Sequence, residues 1–468
     1  MEAMKENKMG TAPVWRLLLT MAIPVILSTA AQSLYNIVDG IFVSQLGEDA
    51  MAAITFAGPC TSILIAVGTG IAVGMNTMLS HGLGEKNQRA VNDAAATAIF
   101  FLLAGGALSL LAAFTLVRPY LSAQTKVPAI LEGGAAYLTV YLGFGVCTIA
   151  QLVLERMLIA TGKTLLSMIS QATGAILNLI LDPILIFGYF GAPKLGISGA
   201  ALATVIGQFA AACIALLLNL TKNKEVRLRF TLRPPLYAVK QVLRLGLPTT
   251  VLFGLNSFMM INYNAVLNQF SSTAVAVFGA CCRVTGFFYA IVGALCNSTI
   301  PILAYNHGAK NKRRIDLTIR YGYIYALCLM AVGTVLCVGF PEVFLRMFNA
   351  TDDMIAIGVW GMRMLTCCYL LCGVRNMSTA IIQAMGHSVP SMAVDLSRNY
   401  AVLIPFAWLL SLTGSIDAVW LSVPIADTVS AIVGVLLMLR FYRKDIRGLG
   451  NMEEADQNVP GVLGIIRG

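Results

Sequence analysis

Apolar residues run through this chain in long, almost unbroken stretches, so the few polar positions inside them stand out. Twelve such runs can be marked, at 14–44, 50–80, 91–117, 129–152, 164–190, 196–220, 239–268, 273–305, 318–341, 354–384, 390–412 and 416–440. Each spans about 20 residues or more, enough to cross a hydrocarbon core of about 30 Å as an α-helix. The short connections sort by charge. Lys5, Lys8, Arg16, Lys86, Arg89, Arg156, Lys163, the stretch 222–244, the cluster 310–320 and Arg440, Arg443, Lys444 and Arg447 fall at one set of alternate ends. Glu48, Asp49, Glu342, Asp352, Asp353 and Asp417 fall at the other. Basic loops mark the cytoplasmic side. The pattern therefore predicts an all-α membrane protein with twelve transmembrane helices and both termini cytoplasmic, a multi-pass protein of the plasma membrane.

Composition agrees with this reading and narrows it. Of 468 residues, 58% are hydrophobic and only 12% charged, against about 25% charged in a soluble globule. The net charge of +10 is read through its sorting by loop, as a topology signal and not as a nucleic-acid footprint. The first apolar run is too long for a cleavable signal and continues through Asp39 to a polar turn at Gly47. Eleven cysteines lack metal or redox spacing and read as small core residues. With three scattered histidines and no nucleophile–base pair, the chain reads as neither metalloprotein nor enzyme, and no cofactor is implied.

Sliding the sequence along itself by about 224 residues brings its halves into register. Ala22-Ile23-Pro24 meets Gly246-Leu247-Pro248, His81-Gly82 meets His307-Gly308, and Lys86-Asn87 meets Lys310-Asn311. Two pseudo-symmetric six-helix lobes follow, 1–220 and 239–441, joined by a charged linker 221–238 and followed by a tail 442–468. In this register Asp39 meets Tyr263, and Leu181-Asp182-Pro183 meets Leu403-Ile404-Pro405.

The two acids therefore lie in one lobe only, each inside an apolar run. An ionised carboxylate at mid-membrane costs about 2.5–3.5 kcal/mol or more, and such residues mark ion pathways. At 1.5 Å per residue, Asp39, Asp182 and Thr204 lie roughly 12–14 Å from the same membrane face. One turn deeper come Tyr35, Asn178 and Gln208, each four residues from its partner on the same helix. Such a cluster can hold a proton, or Na⁺ through Asp39, Asp182 and Asn178; permanent pairing to arginine is the structural alternative. Pro24 interrupts the hydrogen bonding of the same first helix and suits a hinge.

Tyr35-Asn36-Ile37-Val38-Asp39-Gly40 with Val43-Ser44-Gln45-Leu46-Gly47, and Asn178-Leu179-Ile180-Leu181-Asp182-Pro183, resemble the first- and fifth-helix signatures of the multidrug and toxic compound extrusion (MATE) transporters. Gly246-Leu247-Pro248 and Tyr305-Asn306-His307-Gly308-Ala309 extend the match over essentially all twelve helices. The resemblance implies a two-lobed antiporter that exchanges organic, often cationic, compounds for H⁺ or Na⁺. Asp39 and Asp182 match the N-lobe cation site of prokaryotic members, with Tyr35 and Asn178 as partners, Thr204 as a looser match and Pro24 as the bending proline. Asn256 stands where the Na⁺-coupled branch has a glutamate, and the acid expected near 374–376 is missing. The resemblance therefore points to the branch that keeps its coupling site in the N-lobe.

For a permissive pocket the second half offers Asn256, Met259, Met260, Phe287, Phe288 and Tyr289, since methionine adapts and aromatic faces attract cations; Gln208 is added from the first half. Arg283, Arg375 and Arg398 oppose a cationic cargo unless paired, and Asp395 lies three residues from Arg398. Unpaired, they favour the alternative of a flippase moving an anionic lipid-linked precursor. The expected partners are small organic molecules and the lipid bilayer, with a monomer as the working unit.

Overall fold

The computed structural model describes residues 7–228, 231, 233–347 and 352–449. Lys5, the linker positions 229, 230 and 232, and 450–468 of the tail lie outside the described residues, as do the side chains of Asn36, Glu48 and Asp353. In hydrocarbon every backbone N–H and C=O must be satisfied within the segment, which leaves the helix as the element for these runs. The helices are α1 (Val14–Ser44), α2 (Glu48–Gly84), α3 (Gln88–Thr115), α4 (Pro128–Gly143 and Gly145–Ala160), α5 (Thr164–Phe187) and α6 (Ile197–Thr221). The second half repeats them as α7 (Leu236–Asn268), α8 (Ser272–Gly308), α9 (Lys312–Gly339), α10 (Asp352–Cys367 and Tyr369–Ala384), α11 and α12 (Ile416–Trp420 and Ser422–Phe441).

Among the described residues, nine helices are long and apolar enough to span a membrane, and the two bent helices α4 and α10 bring the number to eleven. The twelfth, α11, runs as Ser388–Leu396, a π-helical turn Ser397–Leu403 and Ile404–Ser411. Its apolar character is diluted because Asp395 and Arg398 lie inside it. Helix α4 continues eight residues past the end expected from the apolar run at 152, to Ala160, because its last two turns are polar only on a face buried by the bundle. Short helices at Lys8–Thr11, Val117–Gln124 and Pro341–Arg346 were too brief to leave a periodic signal.

The 224-residue register reappears as geometry. Lys86 and Lys310 both take φ 55°, and the next residues, Asn87 and Asn311, cap α3 and α9 by accepting from Ala90 N and Arg314 N. Helix α4 bends by 46° at Phe144 and α10 by 43° at Cys368. A hydroxyl of the preceding helix attends each bend: Ser109 Oγ donates to the Leu142 carbonyl at 2.7 Å and Thr334 Oγ1 reaches the Thr366 carbonyl at 3.5 Å. Kinks of this size need such a local cause.

The bundles meet along α1, α2, α7 and α8. Glycine permits this approach. A Cβ on Gly246 would sit 2.1 Å from the Gly70 carbonyl oxygen, and one on Gly308 2.2 Å from that of His81. The rings of His81 and His307 pack edge-on, 5.2 Å apart. Among the described residues, the side-chain hydrogen bonds between bundles run from mid-membrane to the basic face: Thr250 to Ala66 O, Ser298 to Met21 O, Asn306 to Met9 O, Arg314 to Met9 and Ala12 O, Tyr325 to Trp15 O, and Tyr237 to Asp93.

Candidate functional site

Helices α5 and α6 bring the polar groups of the first bundle together because they cross at two glycines. A Cβ at Gly174 would lie 2.7 Å from the Gly207 carbonyl oxygen, and one at Gly207 would lie 2.7 Å from that of Gly174. This antiparallel register sets Asn178, one turn on, beside Thr204. The Asn178 amide donates to Thr204 Oγ1 at 3.3 Å and to Asp182 Oδ1 at 3.4 Å. Asp182 therefore stands one turn nearer the acidic face than Thr204, not level with it as even spacing implied. The glycine crossing fixes this offset.

Asp182 is fully buried and Asn178 is 3% exposed. Asp182 Oδ2, Asp39 Oδ1 and Asn178 Oδ1 are buried without a hydrogen-bond partner. Asp39 lies on α1, and Tyr35, one turn earlier on the same helix, shares a cavity with Gln32, Asn178 and Thr204. Three buried acceptor oxygens without a partner in one bundle call for a cation or protons, since such groups are costly when left unmet. Among the described residues no trio of His, Cys, Asp or Glu forms a transition-metal-type cluster, so the donor set is carboxylate, amide and hydroxyl oxygen, suited to a hard cation or a proton. Below it lies a cavity of about 20 Å³ lined by Gln32, Tyr35, Gln151, Asn178, Thr204 and Gln208 among others.

Sequence reasoning missed three participants. Tyr137 and Tyr141 on α4 stack 6.0 Å apart, and Tyr141 faces Thr148 and Gln208. Glu155, also on α4, is 6% exposed. Tyr137 and Tyr141 lie four apart inside the fourth apolar run, whereas Glu155 lies three residues beyond the end marked for it at 152.

Two acids inside the second bundle have arginine partners. Asp427 on α12, fully buried, accepts from Arg398 Nε at 2.5 Å. Asp395 pairs with Arg375. This corrects the expectation that Asp395 serves Arg398: the π-helical turn rotates Arg398 off the face three residues on, toward α12. Tyr263, which stands where the first bundle has Asp39, is 1% exposed and bonds the Val419 carbonyl and Ser422.

The pocket residues divide. Asn256 and Arg283 are exposed and Phe287 is 40% exposed; Asn256 also accepts from Asn399 at 3.1 Å. Phe288 and Tyr289 instead pack against Tyr369, with the Tyr289 hydroxyl on Cys372 Sγ, and Met259 and Met260 pack on the second bundle's core. Gln208 belongs to the first-bundle interior, accepting from Thr148 at 2.6 Å. Pro24 is buried within an otherwise continuous α1. The eleven cysteines are all free.

The MatE family model matches this chain twice, over residues 24–184 and 248–409. The chain is similar to the multidrug export protein MepA of Staphylococcus aureus (strain MSSA476), with 25% identity over 437 residues covering 91% of this chain and 94% of that protein. It is also 26% identical, over 437 residues covering 92% of this chain and 95% of the relative, to a FAD transporter of Shewanella oneidensis. Among solved structures, the outward-facing conformation of a multidrug resistance MATE family transporter of the MOP superfamily superposes with a TM-score of 0.88 at 22% identity, covering 96% of this chain and 100% of that one. The fold is shared.

Proposed function

The chain belongs to the MatE family of multidrug efflux transporters, and from that premise we propose that its coupling cation, H⁺ or Na⁺, binds in the first bundle among Asp39, Asp182, Asn178 and Thr204. One contrast carries the reading. Asp395 and Asp427, inside the second bundle, each have a guanidinium partner, Arg375 and Arg398, whereas Asp39 and Asp182 each keep a buried oxygen without a hydrogen-bond partner and are in none of the ion pairs among the described residues. Burial of an uncompensated carboxylate costs about 2.5–3.5 kcal/mol or more, and cation exchange is the work that repays it.

The protein acts as an antiporter of the plasma membrane, N-lobe 1–220 and C-lobe 239–441, with both termini in the cytoplasm. Because its bundles are bonded from mid-membrane to the basic face, this conformation opens outward. Occupancy of the site bends α1 at Pro24, where the Met21 carbonyl is held by Ser298 of α8 at 3.3 Å. The cargo is a small amphipathic organic compound, taken at the cleft bearing Asn256 and Phe287, and a single chain suffices. With Arg375 and Arg398 paired, the argument for an anionic lipid-linked cargo rests on Arg283 alone, so efflux is preferred.

The test is ethidium efflux from proteoliposomes with pH and Na⁺ gradients imposed separately. Asp182→Asn and Asp39→Asn should each lower gradient-driven efflux at least tenfold in folded protein. Efflux at the native rate in either variant removes that residue from the coupling site.

A further inference from the structure

One carboxyl group of the first bundle has no task in this scheme. Glu155 Oε1 accepts from the Gln151 amide at 3.2 Å and lies 3.3 Å from the Ser170 hydroxyl, whose shorter bond, 2.7 Å, goes to the Ala211 carbonyl; both neighbours are neutral. The charged group that acts on it is Arg156, next along the helix, whose Nη1 is itself buried without a partner. Of the helices packed around it, α5 presents neutral Ser170, α6 presents Asn219, which bonds the Leu154 carbonyl, and α2 presents Ser80, which bonds the Ala160 carbonyl.

Periodicity joins Glu155 to the coupling site. On α5, Ser170, Gly174, Asn178 and Asp182 are buried at intervals of four, which aligns them on one face over roughly 18 Å. Asp182 heads this column and Ser170, beside Glu155, foots it. Along this column lies the cavity of about 20 Å³ touched by Asn178, the hydrogen-bond partner of Asp182, and by Gln151, that of Glu155; it is larger than the roughly 10–15 Å³ that one water requires. Past Glu155 the polar contacts continue toward the basic face: Asn223 donates to Asn219 Oδ1 at 2.9 Å and Lys163 to Asn223 Oδ1 at 2.9 Å.

Resting on the coupling site proposed above, we propose that Glu155 is a second proton-carrying carboxyl, which receives the proton of the Asp39–Asp182 site and passes it to the basic face. The coupling ion is then H⁺. An O–H bond of the Asp182 carboxyl breaks, waters entering the column through the chamber relay the proton from one to the next, and an O–H bond forms on Glu155; the negative charge moves the opposite way. Glu155 later releases the proton to water at the basic face. The amides of Gln151 and Asn178 orient the water and do not carry the proton.

The experiment uses the full chain in proteoliposomes with a pH dye inside, ethidium as cargo, and ethidium binding measured separately in detergent. Glu155→Gln should slow ethidium-driven proton counterflow at least tenfold and shift its pH profile, while ethidium affinity stays within twofold and keeps its pH dependence. Glu155→Asp should restore most of the rate. The double variant Glu155→Gln, Arg156→Gln should stay slow; recovery there makes Glu155 a counter-ion and overturns the proposal. A native rate and profile in Glu155→Gln also overturns it. Asp182→Asn separates the two readings, because it should abolish the pH dependence of ethidium binding. Persistence of that dependence sinks the coupling site itself, whereas its loss beside a native Glu155→Gln sinks only the relay.

Discussion

At the scale of single residues, the acids inside the two bundles differ in whether an arginine meets them. Arg398 and Asp427 form a buried pair at 2.5 Å, and breaking such a pair strands a charge at a cost of about 3–5 kcal/mol. Asp427→Asn should therefore lower the thermal-unfolding midpoint in detergent markedly, while Asp182→Asn, which strands nothing, should leave it unchanged or raise it. Equal losses in the two variants would mean that Asp182 is a structural acid as well. Asp39 and Asp182 were legible in the sequence because each breaks an apolar run that has an uncharged counterpart. The partner of Arg398 was not: residues 29 apart meet only through the crossing of α11 and α12, and the near neighbour Asp395 was the obvious but wrong choice. Glu155 was missed because the fourth run seemed to end at 152, short of the turns that bury it.

At the scale of elements, two features convert these residues into a device. The first is the crossing of α5 and α6. Gly207→Ala introduces a methyl 2.7 Å from a backbone oxygen that cannot yield and 3.0 Å from Asn178 Cβ, so the helices must part and Asn178 must lose Thr204. Cation-dependent thermal stabilisation should weaken at least several-fold, whereas Gly58→Ala, with nothing within 4 Å, should be silent; no difference between them would sever the crossing from the site. The second is Pro24. Alanine there restores the bond to the Thr20 carbonyl and stiffens α1. Ion binding by calorimetry should persist while exchange slows, and normal turnover would leave the proline as a static bend. The apolar runs announced twelve helices, but not the bends at Phe144 and Cys368, where no proline stands.

At the scale of the whole molecule, closure of the basic face depends on a segment that carried no sequence signal. The short helix Lys8–Thr11 is tied to the first bundle through Asn7, which donates to the Thr161 carbonyl at 3.1 Å and to Glu225 at 2.8 Å. Burial at this junction raises the Glu225 carboxyl and lowers the Lys8 ammonium from their ordinary values. The other bundle holds the same segment through Arg314, which donates to the Met9 carbonyl at 3.0 Å, the Ala12 carbonyl at 2.7 Å and Asn306 Oδ1 at 3.1 Å. Hydrogen bonds from a charged group are worth about 1.5–3 kcal/mol each, and about 1.4 kcal/mol changes a population ratio tenfold. Those bonds join the two bundles at the basic face in this conformation, so, if the N-terminal segment moves with the first bundle, Arg314→Gln removes stabilisation from this conformation and not from one open on the basic side. The variant should raise the population open there at least tenfold, seen as longer distances between spin labels on the basic ends of α2 and α8 in a cysteine-depleted background. It should also lower the pull of the gradient on the cargo, because a transporter that opens inward without its ion leaks. A distance distribution unchanged from that of the parent would show that the glycine seam alone holds the face closed.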